Sequence, residues 1–520
     1  MATTTEVTQA IGVALAAGAH PSRRLPDSCA MVIFGASGDL TERKLIPALY
    51  YLYRHGLLPK GFSVVGCART FFSDDQFRAR LHDAVQEYLK ISAEDESYLN
   101  GFLEGVFYLR ADYSPAFYDQ LAKTLVDLDE QRGAGGNRLF YMATPPSFFG
   151  DIVRNLGSRG LARPKHEGQS WTRVVIEKPF GHDTESAREL NRLVTGVFRE
   201  DQIYRIDHYL GKETVQNLLV FRFANGIFEP VWNRRYIDHV QIAVAEDLGL
   251  EGRGGYYEEA GLVRDMIQNH VLSLLSLIAM EPPSQFEATA VRDEKSKLMR
   301  AIRPLPMDRL NEVAVRGQYV EGWAGDRKLP AYRAEPKVSP QSVTETFAAL
   351  KLYIDNWRWA DVPFYIRSGK RLAKRISEIT VEFRRAPHLL FRGTITEDMV
   401  PNLLRVRIQP DEGISLRFNA KIPDTTMQIR PVEMDFRYKE VFEASPPTAY
   451  ETLLLDCMLG DPMLFTRNEF VDLAWELVTP VLRRWRDDGR KGLYFYEAGT
   501  WGPPEADTLM ERDGRHWRHL

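Results

Sequence analysis

The sequence predicts two folded domains of different classes: an N-terminal α/β domain with a doubly wound parallel sheet, and a larger C-terminal α+β domain with a mainly antiparallel sheet. The chain has 520 residues, enough for two or more domains that each bury a core. Between residues 30 and 198, short apolar runs alternate with helical stretches, as in successive βα units. In the C-terminal half the apolar period becomes two, which is typical of antiparallel strands with one buried face.

Residues 1–27 precede the first predicted strand, and we expect them to form a flexible leader. The apolar run Ala10 to Ala19 is similar to the core of a secretion signal. However, no Lys or Arg precedes this run, whereas the acidic Glu6 does. A flexible leader is therefore favoured over a secretion signal.

The composition indicates a soluble globular protein with a small-molecule ligand. Lys and Arg total 67 and Asp and Glu total 71, so the net charge is 67 − 71 = −4, too balanced for a protein whose main task is binding nucleic acid. The most apolar stretch, Val271 to Met280, is too short to cross a membrane. The cysteines have neither disulfide nor zinc spacing, so we expect no metal site and a reducing, cytoplasmic location; they are Cys29, Cys67 and Cys457.

We place the first domain at residues 28–204. Its predicted strands are short apolar runs at Met31–Phe34, Phe62–Gly66, Val106–Leu109, Leu139–Ala143 and Val174–Glu177. The stretches between them have helical periodicity and are long enough for crossover helices. The clearest of these helical stretches are Gln76–Leu89, Ala116–Leu128 and Ser186–Phe198.

We place the second domain at residues 205–520. Four segments in it alternate apolar and polar side chains, which predicts one buried and one polar face for each strand. These segments are Ile379–Phe383, Leu404–Ile408, Ile414–Phe418 and Val432–Tyr438.

The first predicted strand leads into a glycine-containing turn, which is followed by the helical stretch Thr41–Tyr53. Glycines at such a turn let the backbone approach a pyrophosphate, whose charge is met by amide groups and the positive end of the helix. The turn departs from the G-x-G-x-x-G spacing, so a purely structural glycine turn stays open. Its position in the first βα unit favours a dinucleotide-binding, Rossmann-like domain. The residues of the turn are Gly35, Ala36, Ser37, Gly38, Asp39 and Leu40.

Two cations follow predicted strands of the same sheet. Arg69 follows the second strand, where a dinucleotide fold distinguishes the two forms of the ribose. A cation there favours NADP, with NAD as a weaker alternative, although a solvated surface arginine stays open. Lys178 follows the fifth strand, at the sheet edge where ligands bind. A surface lysine in a loop is the alternative for Lys178.

The segment Arg205–Glu213 brings ionisable side chains to the junction of the two predicted domains, where clefts usually form. If a helix begins here, His208 and Lys212 lie four residues apart on one face and together bind a phosphate. Asp207 then points elsewhere and is available to orient another group.

His270 lies on the apolar stripe of a predicted helix that continues to Met280. A buried histidine with a structural hydrogen bond is one explanation. The other is a general base, because a carboxylate that holds one ring nitrogen leaves the second nitrogen to face a substrate hydroxyl. Asp207 is the candidate for that carboxylate.

Together, several strings resemble the glucose-6-phosphate dehydrogenase family. The match covers about residues 29–505, and RIDHYLGKE at Arg205–Glu213 is its most specific part. The resemblance implies oxidation of glucose 6-phosphate to 6-phosphogluconolactone with NADP, in the cytoplasm, as a homodimer or homotetramer built through the large sheet. The other matching strings are GASGDL at Gly35–Leu40, EKPFG at Glu177–Gly181, RDMIQNH at Arg264–His270, RSGKRL at Arg367–Leu372 and AYETLLLD at Ala449–Asp456.

The resemblance also implies roles for individual residues. It makes His270 the base that takes the proton of the sugar's carbon 1 hydroxyl, with Asp207 orienting its ring. Lys44 and Lys178 line the cofactor and substrate side of the crevice. The positions implied to bind the sugar or its phosphate are Lys178, His208, Lys212, Glu246, Asp265, Lys370 and Arg375, the last a lysine in some family members.

One feature conflicts with these roles, and two other functions stay open. Asp265 and His270 lie about 140° apart on a regular α-helix, so both can face one sugar only if the helix begins irregularly. A related oxidoreductase of unphosphorylated sugars is the nearest alternative function. A catalytically silent NADP-binding scaffold is the second alternative, although His270 is present.

Overall fold

The computed structural model describes residues 24–164, 168–386, 399–423, 425, 427–442 and 447–518. Residues 1–23 of the predicted leader lie outside this range. Cys29, Cys67 and Cys457 are buried and free. Among the described residues, no helix combines the length and apolar character that crossing a bilayer requires.

The first sheet is parallel and has the strand order β3-β2-β1-β4-β5-β6. This order places ligands at the carboxyl ends of β1 and β4, where the direction of winding reverses. Helices cover both faces, and the strands are short runs of buried residues. Five predicted strands are present with shifted ends, and a sixth, β6, follows them. The strands are β1 Ala30–Phe34, β2 Ser63–Ala68, β3 Val106–Arg110, β4 Arg138–Met142, β5 Thr172–Ile176 and β6 Ile203–Arg205.

The second sheet is mainly antiparallel, as predicted. Its strand order is β16-β15-β14-β13-β7-β12-β11-β8-β17, and β9 and β10 form a separate hairpin. Two pairs are parallel, β7 with β12 and β8 with β17. The strands are β7 Ile237–Ala245, β8 Ala314–Val320, β9 Gly322–Ala324, β10 Arg327–Leu329, β11 Phe347–Leu352, β12 Phe364–Gly369, β13 Ile376–Phe383, β14 Leu403–Gln409, β15 Gly413–Lys421, β16 Ile429–Arg437 and β17 Leu493–Glu497.

The helices surround the two sheets. Two of them are π-helical, at Thr41–Leu45 and Val263–Val271. Short 3₁₀ turns lie at Ala93–Asp95, Pro146–Phe148, Glu200–Gln202, Glu229–Val231, Met307–Glu312 and Tyr332–Ala334. The α-helices are Ile46–Arg54, Asp74–Leu89, Glu96–Leu103, Pro115–Arg132, Phe149–Ser158, Thr184–Thr195, Glu213–Phe223, Gly254–Leu262, Leu272–Ala279, Ala288–Arg300, Tyr438–Phe442, Ala449–Leu459, Asn468–Asp488 and Glu505–Glu511.

The C-terminal half of the chain contributes to the core around the first sheet. The helix Ala449–Leu459 packs against the helix Ile46–Arg54, and its Leu453 and Leu454 are fully buried with residues of that sheet. Strand β6 ends at Arg205, next to the site segment that begins at Asp207. The division of the chain at residues 204 and 205 stays a prediction.

Candidate active site

A histidine and an aspartate form the centre of the site. His270 is fully buried, and its Nδ1 lies 2.5 Å from Oδ1 of Asp207. The same Oδ1 accepts a hydrogen bond from the backbone amide of Tyr209, at 3.0 Å. The Tyr209 ring stacks on the His270 ring at a centroid distance of 4.5 Å. These contacts fix the plane of the imidazole and assign the Nδ1 proton to the bond with Asp207.

The helix that carries His270 begins irregularly, for a reason visible in the backbone. Gly261 has φ +64°, and a Cβ there would lie 2.5 Å from Oε1 of Glu345. The same Oε1 accepts the amide of Val263, the first residue of the π-helix. In a π-helix, residues five apart are joined by hydrogen bonds and lie nearly above one another. Asp265 and His270 therefore share one side, as the sequence required.

Two lysines connect His270 to the acids around it. Lys178 Nζ lies 2.8 Å from Nε2 of His270 and 3.3 Å from Oδ1 of Asp265. Lys370 Nζ lies 3.2 Å from the other oxygen of Asp265 and also pairs with Glu246. Four residues assigned to the sugar thus form a continuous series of charged contacts that starts at the His270 ring. In order, they are Lys178, Asp265, Lys370 and Glu246.

The environment sets the protonation states. Burial lowers the pKa of His270, the Asp207 charge raises it and the Lys178 ammonium lowers it, leaving it below the usual 6.5. Burial would raise the pKa of Asp207, but the charge and hydrogen bond of His270 hold it below its usual value. The pKa of Asp265 is also lowered: its burial would raise the pKa, but the charges of Lys178 and Lys370 outweigh that effect. At neutral pH the site therefore holds a neutral imidazole between ionised acids.

The residues assigned to the phosphate lie beside this centre, and burial followed by the charges of His270 and Lys178 keeps the pKa of His208 well below 6.5. His208 contacts His270 edge to face, at a centroid distance of 4.4 Å. Lys212 Nζ lies 2.5 Å from Oε1 of Gln409, and Arg375 lies 3.4 Å from the same oxygen. Burial, Arg375 and other nearby charges lower the pKa of Lys212 to about 8.

The helix considered for the segment Arg205–Glu213 begins only at the last residue of that segment. Residues 208–211 form turns, and the helix begins at Glu213 with Lys212 as its N-cap. His208 and Lys212 are therefore brought together by a turn, because the side chain of Asp207 binds the amide of Tyr209 and so competes with helical hydrogen bonding.

The glycine turn lies at the carboxyl end of β1, as predicted. Gly35 has φ +87°, and a Cβ there would lie 2.6 Å from the carbonyl oxygen of Ala143. Only glycine meets both conditions. The helix that follows begins against the turn, because the amides of Thr41 and Glu42 donate to the carbonyl oxygen of Gly38. The exposed Lys44 lies near enough to contribute to the lowered pKa of Lys212.

Arg69 is exposed at the carboxyl end of the second strand, 5.7 Å from the centroid of the Phe148 ring. Among the described residues it forms no ion pair. The hydroxyl of the neighbouring Thr70 lies 3.5 Å from that of Ser37, in the glycine turn. A free cation beside the turn fits a ligand with an additional phosphate on its ribose.

Oxygen and nitrogen atoms of Asp207, His208 and His270 lie within 4.8 Å of one another. Such a group could hold a metal ion, but the Nδ1 of His270 is bound to Asp207 and its Nε2 faces the Lys178 ammonium. A cation in contact with the ring opposes the binding of a second cation there. The arrangement fits acid–base chemistry better than metal coordination.

Comparison with known proteins identifies the family. The model of the glucose-6-phosphate dehydrogenase C-terminal domain matches residues 219–518, and the model of its NAD-binding domain matches residues 32–217. The chain belongs to the glucose-6-phosphate dehydrogenase family. The glucose-6-phosphate 1-dehydrogenase 2 of Mycobacterium tuberculosis (strain H37Rv) is 48% identical over 496 residues, covering 95% of each chain.

Other family members agree. The glucose-6-phosphate 1-dehydrogenase of Bacillus subtilis (strain 168) is 43% identical over 491 residues, covering 94% of this chain and 98% of the relative. A solved glucose-6-phosphate dehydrogenase in complex with its substrate has a TM-score of 0.86 at 36% identity and covers 96% of this chain and 100% of its own. The Mycobacterium avium enzyme has a TM-score of 0.79 at 35% identity, with 95% and 99% covered.

The sequence did not indicate Gln409, a polar residue that contacts two of the side chains assigned to the phosphate. Gln409 donates to Ser377 Oγ at 2.9 Å, which turns its oxygen towards Lys212 and Arg375. Gln409 is the last residue of β14, and only its position at the end of an alternating strand could have indicated it.

Proposed function

We propose that the chain oxidises D-glucose 6-phosphate to 6-phospho-D-glucono-1,5-lactone with hydride transfer to NADP, the first step of the oxidative pentose phosphate pathway. The observation that carries the proposal is the buried His270–Asp207 pair beside a cluster of cations, in a chain of this family. A base, its orienting carboxylate and a dianion site are the parts that this oxidation requires.

His270 acts as the base through Nε2. Its Nδ1–H is bound by Asp207, so Nε2 carries the lone pair, and the Lys178 ammonium donates to it. The carbon 1 hydroxyl takes the place of Lys178 at Nε2 when the sugar binds. As Nε2 takes the hydroxyl proton, the C1–H electron pair departs as hydride and the C1=O bond of the lactone forms. Asp207 stabilises the resulting imidazolium.

The remaining charged residues position the sugar. His208, Lys212 and Arg375 bind the phosphate. Before substrate arrives, Lys212 and Arg375 donate to Gln409, and the phosphate then takes the place of the Gln409 oxygen. Glu246 and Asp265 accept hydrogen bonds from the ring hydroxyls, and Lys370 donates a hydrogen bond to one of them. This binding converts an encounter of two molecules into a reaction between groups already in place.

The residues at the carboxyl edge of the first sheet fit a dinucleotide. In the turn Gly35–Leu40, the amides of Gly35, Ala36 and Gly38 already donate to carbonyl oxygens. The remaining amides of the turn would hold the pyrophosphate, with Lys44 on the helix that follows. Arg69 would bind the 2′-phosphate, which favours NADP over NAD. Lys178 would lie between cofactor and sugar. NADP, when bound, accepts the hydride.

We also propose a cytoplasmic homodimer or homotetramer assembled through the large sheet. Support comes from the edge strand β16, where Val432 is 40% and Met434 62% exposed. An exposed edge strand with apolar side chains is suited to pairing with another chain. The molar mass measured by light scattering after size exclusion tests this proposal, and a monomer at all concentrations would contradict it.

A cofactor-reduction assay of the purified chain tests the function. We expect NADPH formation with glucose 6-phosphate, a much lower kcat/KM with glucose, and slower turnover with NAD than with NADP. A preference for glucose would favour the oxidoreductase of unphosphorylated sugars. NADP binding without turnover on any phosphorylated sugar would favour the silent scaffold.

A further inference from the structure

The loop that carries Lys178 is held in place by distant parts of the chain. This Lys178 loop comprises residues 177–183, between strand β5 and the helix Thr184–Thr195. Lys178 contacts both Nε2 of His270 and the carboxylate of Asp265, so the position of the loop sets the geometry at the base. The proposed reaction gives the lysine a role and leaves open which groups keep its loop in place.

The first of these groups is the indole of Trp475, on the helix Asn468–Asp488. Trp475 is fully buried, and its Nε1 donates to the carbonyl oxygen of Phe180 at 2.9 Å. Only Pro179 separates Phe180 from Lys178, and the proline ring fixes one of the backbone torsions of this short link. A displacement of Phe180 would therefore move Lys178 as well.

Two further contacts hold the far end of the loop. The hydroxyl oxygen of Thr479 accepts hydrogen bonds from the amide and the hydroxyl of Thr184, at 3.1 and 2.9 Å. Nε of Arg264 donates to the carbonyl oxygen of His182 at 2.8 Å. Arg264 belongs to the π-helix that also carries the base, so the loop is joined to that helix as well as to the C-terminal one.

Packing beside the loop is incomplete. A cavity of about 40 Å³ lies there, lined by Lys178, Phe180, Asp207 and Phe470 among other residues. Protein interiors contain few voids as large as a water molecule, and side chains beside a void lack the contacts that would hold them. Hydrogen bonds to the backbone of the loop are therefore needed to fix the position of Lys178.

We propose that Trp475 and Thr479 are positioning residues, which hold the Lys178 loop beside the catalytic base. The inference rests on the proposed function, because it concerns the arrangement around the same base. The two residues lie four positions apart and so on one face of their helix, and that face meets the loop. The indole N–H is a single directional donor, and its loss leaves the buried carbonyl of Phe180 unpaired.

Kinetics of Trp475→Phe provide the first test, since Phe lacks the N–H and keeps an aromatic ring in the core. We expect kcat with glucose 6-phosphate and NADP to fall about 10-fold, because a small misplacement of a group at the reacting atoms is costly. The KM for glucose 6-phosphate should change less than about threefold, since the residues assigned to its phosphate lie outside the loop.

The matched control is Trp232→Phe. The Trp232 indole is also fully buried and also donates to a carbonyl oxygen at 2.9 Å, that of Ile278, outside the Lys178 loop. Both variants lose one buried hydrogen bond of the same type, so their thermal midpoints should fall by similar amounts. Only Trp475→Phe should lower kcat, and equal kinetic losses in the two variants would overturn the proposal.

Combination with Lys178→Met separates positioning from a general loss of structure. In that background Trp475→Phe should lower kcat by less than about threefold, because the side chain that it positions is absent. A loss as large as the one in the wild-type background would contradict a role that acts through Lys178.

Thr479→Val provides a second variant, which keeps the size of the side chain and removes the hydroxyl that binds Thr184. It should lower kcat in the same direction as Trp475→Phe. Where Trp475→Phe does not fold, an unchanged kcat in Thr479→Val would refute the proposal.

Hydrogen exchange of the loop gives a readout that requires no turnover. The amides of residues 182–184 donate to side-chain hydroxyls, so they are expected to exchange slowly in the wild type. Mass spectrometry of peptides covering residues 177–184 should show faster exchange in Trp475→Phe than in Trp232→Phe. Equal exchange in the two variants would show that Trp475 does not hold the loop.

These measurements separate the inference from the proposed function. Wild-type turnover with glucose 6-phosphate and NADP decides the function, and the exchange comparison decides the contact whether or not that turnover is found. Faster exchange without turnover would refute the function and keep the contact. Turnover with equal kcat in Trp475→Phe and Trp232→Phe would refute only the positioning role.

Discussion

Replacing Asp207 by asparagine removes the negative charge that faces His270 and leaves the size of the side chain nearly unchanged. The Nδ1–Oδ1 distance of 2.5 Å places the two charge centres about 4 Å apart once the imidazolium forms. At an effective dielectric constant of about 20, this interaction amounts to about 4 kcal/mol, or about 10³-fold in rate. We therefore expect kcat to fall about 10³-fold, with the KM for glucose 6-phosphate changed less than about threefold.

The pH profile of Asp207→Asn provides a second, independent test, because the direction in which its acid limb moves can be predicted. In the wild type His270 must be neutral, and its pKa lies below 6.5, so activity should be lost as the pH falls below that value. The Asp207 charge raises the pKa of His270, so its removal should move the acid limb to lower pH while the plateau falls. The assay is NADPH formation across about pH 5 to 9.

The matched control is Asp238→Asn, because the chain contains a second aspartate–histidine pair. Asp238 lies 2.8 Å from Nδ1 of His239, on strand β7 and outside the proposed site. This variant should keep wild-type kcat and an unmoved acid limb, although the loss of the Arg515 ion pair lowers its thermal midpoint. The reasoning would be refuted if Asp207→Asn kept kcat within about threefold of the wild type.

Two further predictions concern the cations of the site. Arg69→Ala should raise the KM for NADP about 10-fold or more and leave the KM for NAD nearly unchanged, as measured by initial rates with each cofactor; equal effects on both would remove Arg69 from the 2′-phosphate. Lys212 has a pKa lowered to about 8, so its charge is lost as the pH rises through that value, and the KM for glucose 6-phosphate should rise above about pH 8. Lys212→Arg should abolish this rise, because arginine stays charged; a rise that persists in the arginine variant would contradict the assignment.

The elements of the fold that could be predicted are those with a local signal. The first sheet's five predicted strands are apolar runs, and β13 to β16 alternate apolar and polar side chains. The predicted buried face is wrong for β16, where Val432 is 40% and Met434 62% exposed. By contrast, β12, Phe364–Gly369, is buried at every position and shows no such alternation. Strand β6 has only three residues, Ile203–Arg205, and its place in the sheet depends on pairing with β5.

The site could be predicted at the level of residues but not of backbone. Asp207 and His270 are 63 positions apart, and their contact could be inferred because a buried imidazole needs a partner. The π-helix could not be inferred, because it depends on Gly261 and on Glu345, which comes from the segment preceding β11 and accepts the Val263 amide. Gln409 was missed for a similar reason, since its partners Lys212, Arg375 and Ser377 come from other segments.

The most direct measurement of the central claim is the turnover of His270→Asn alongside its affinity for glucose 6-phosphate. The account predicts that kcat falls about 10⁴-fold, the upper range for losing a general base, while the calorimetric Kd for the sugar phosphate changes less than about threefold. A variant that reduces NADP at close to the wild-type rate would contradict the account.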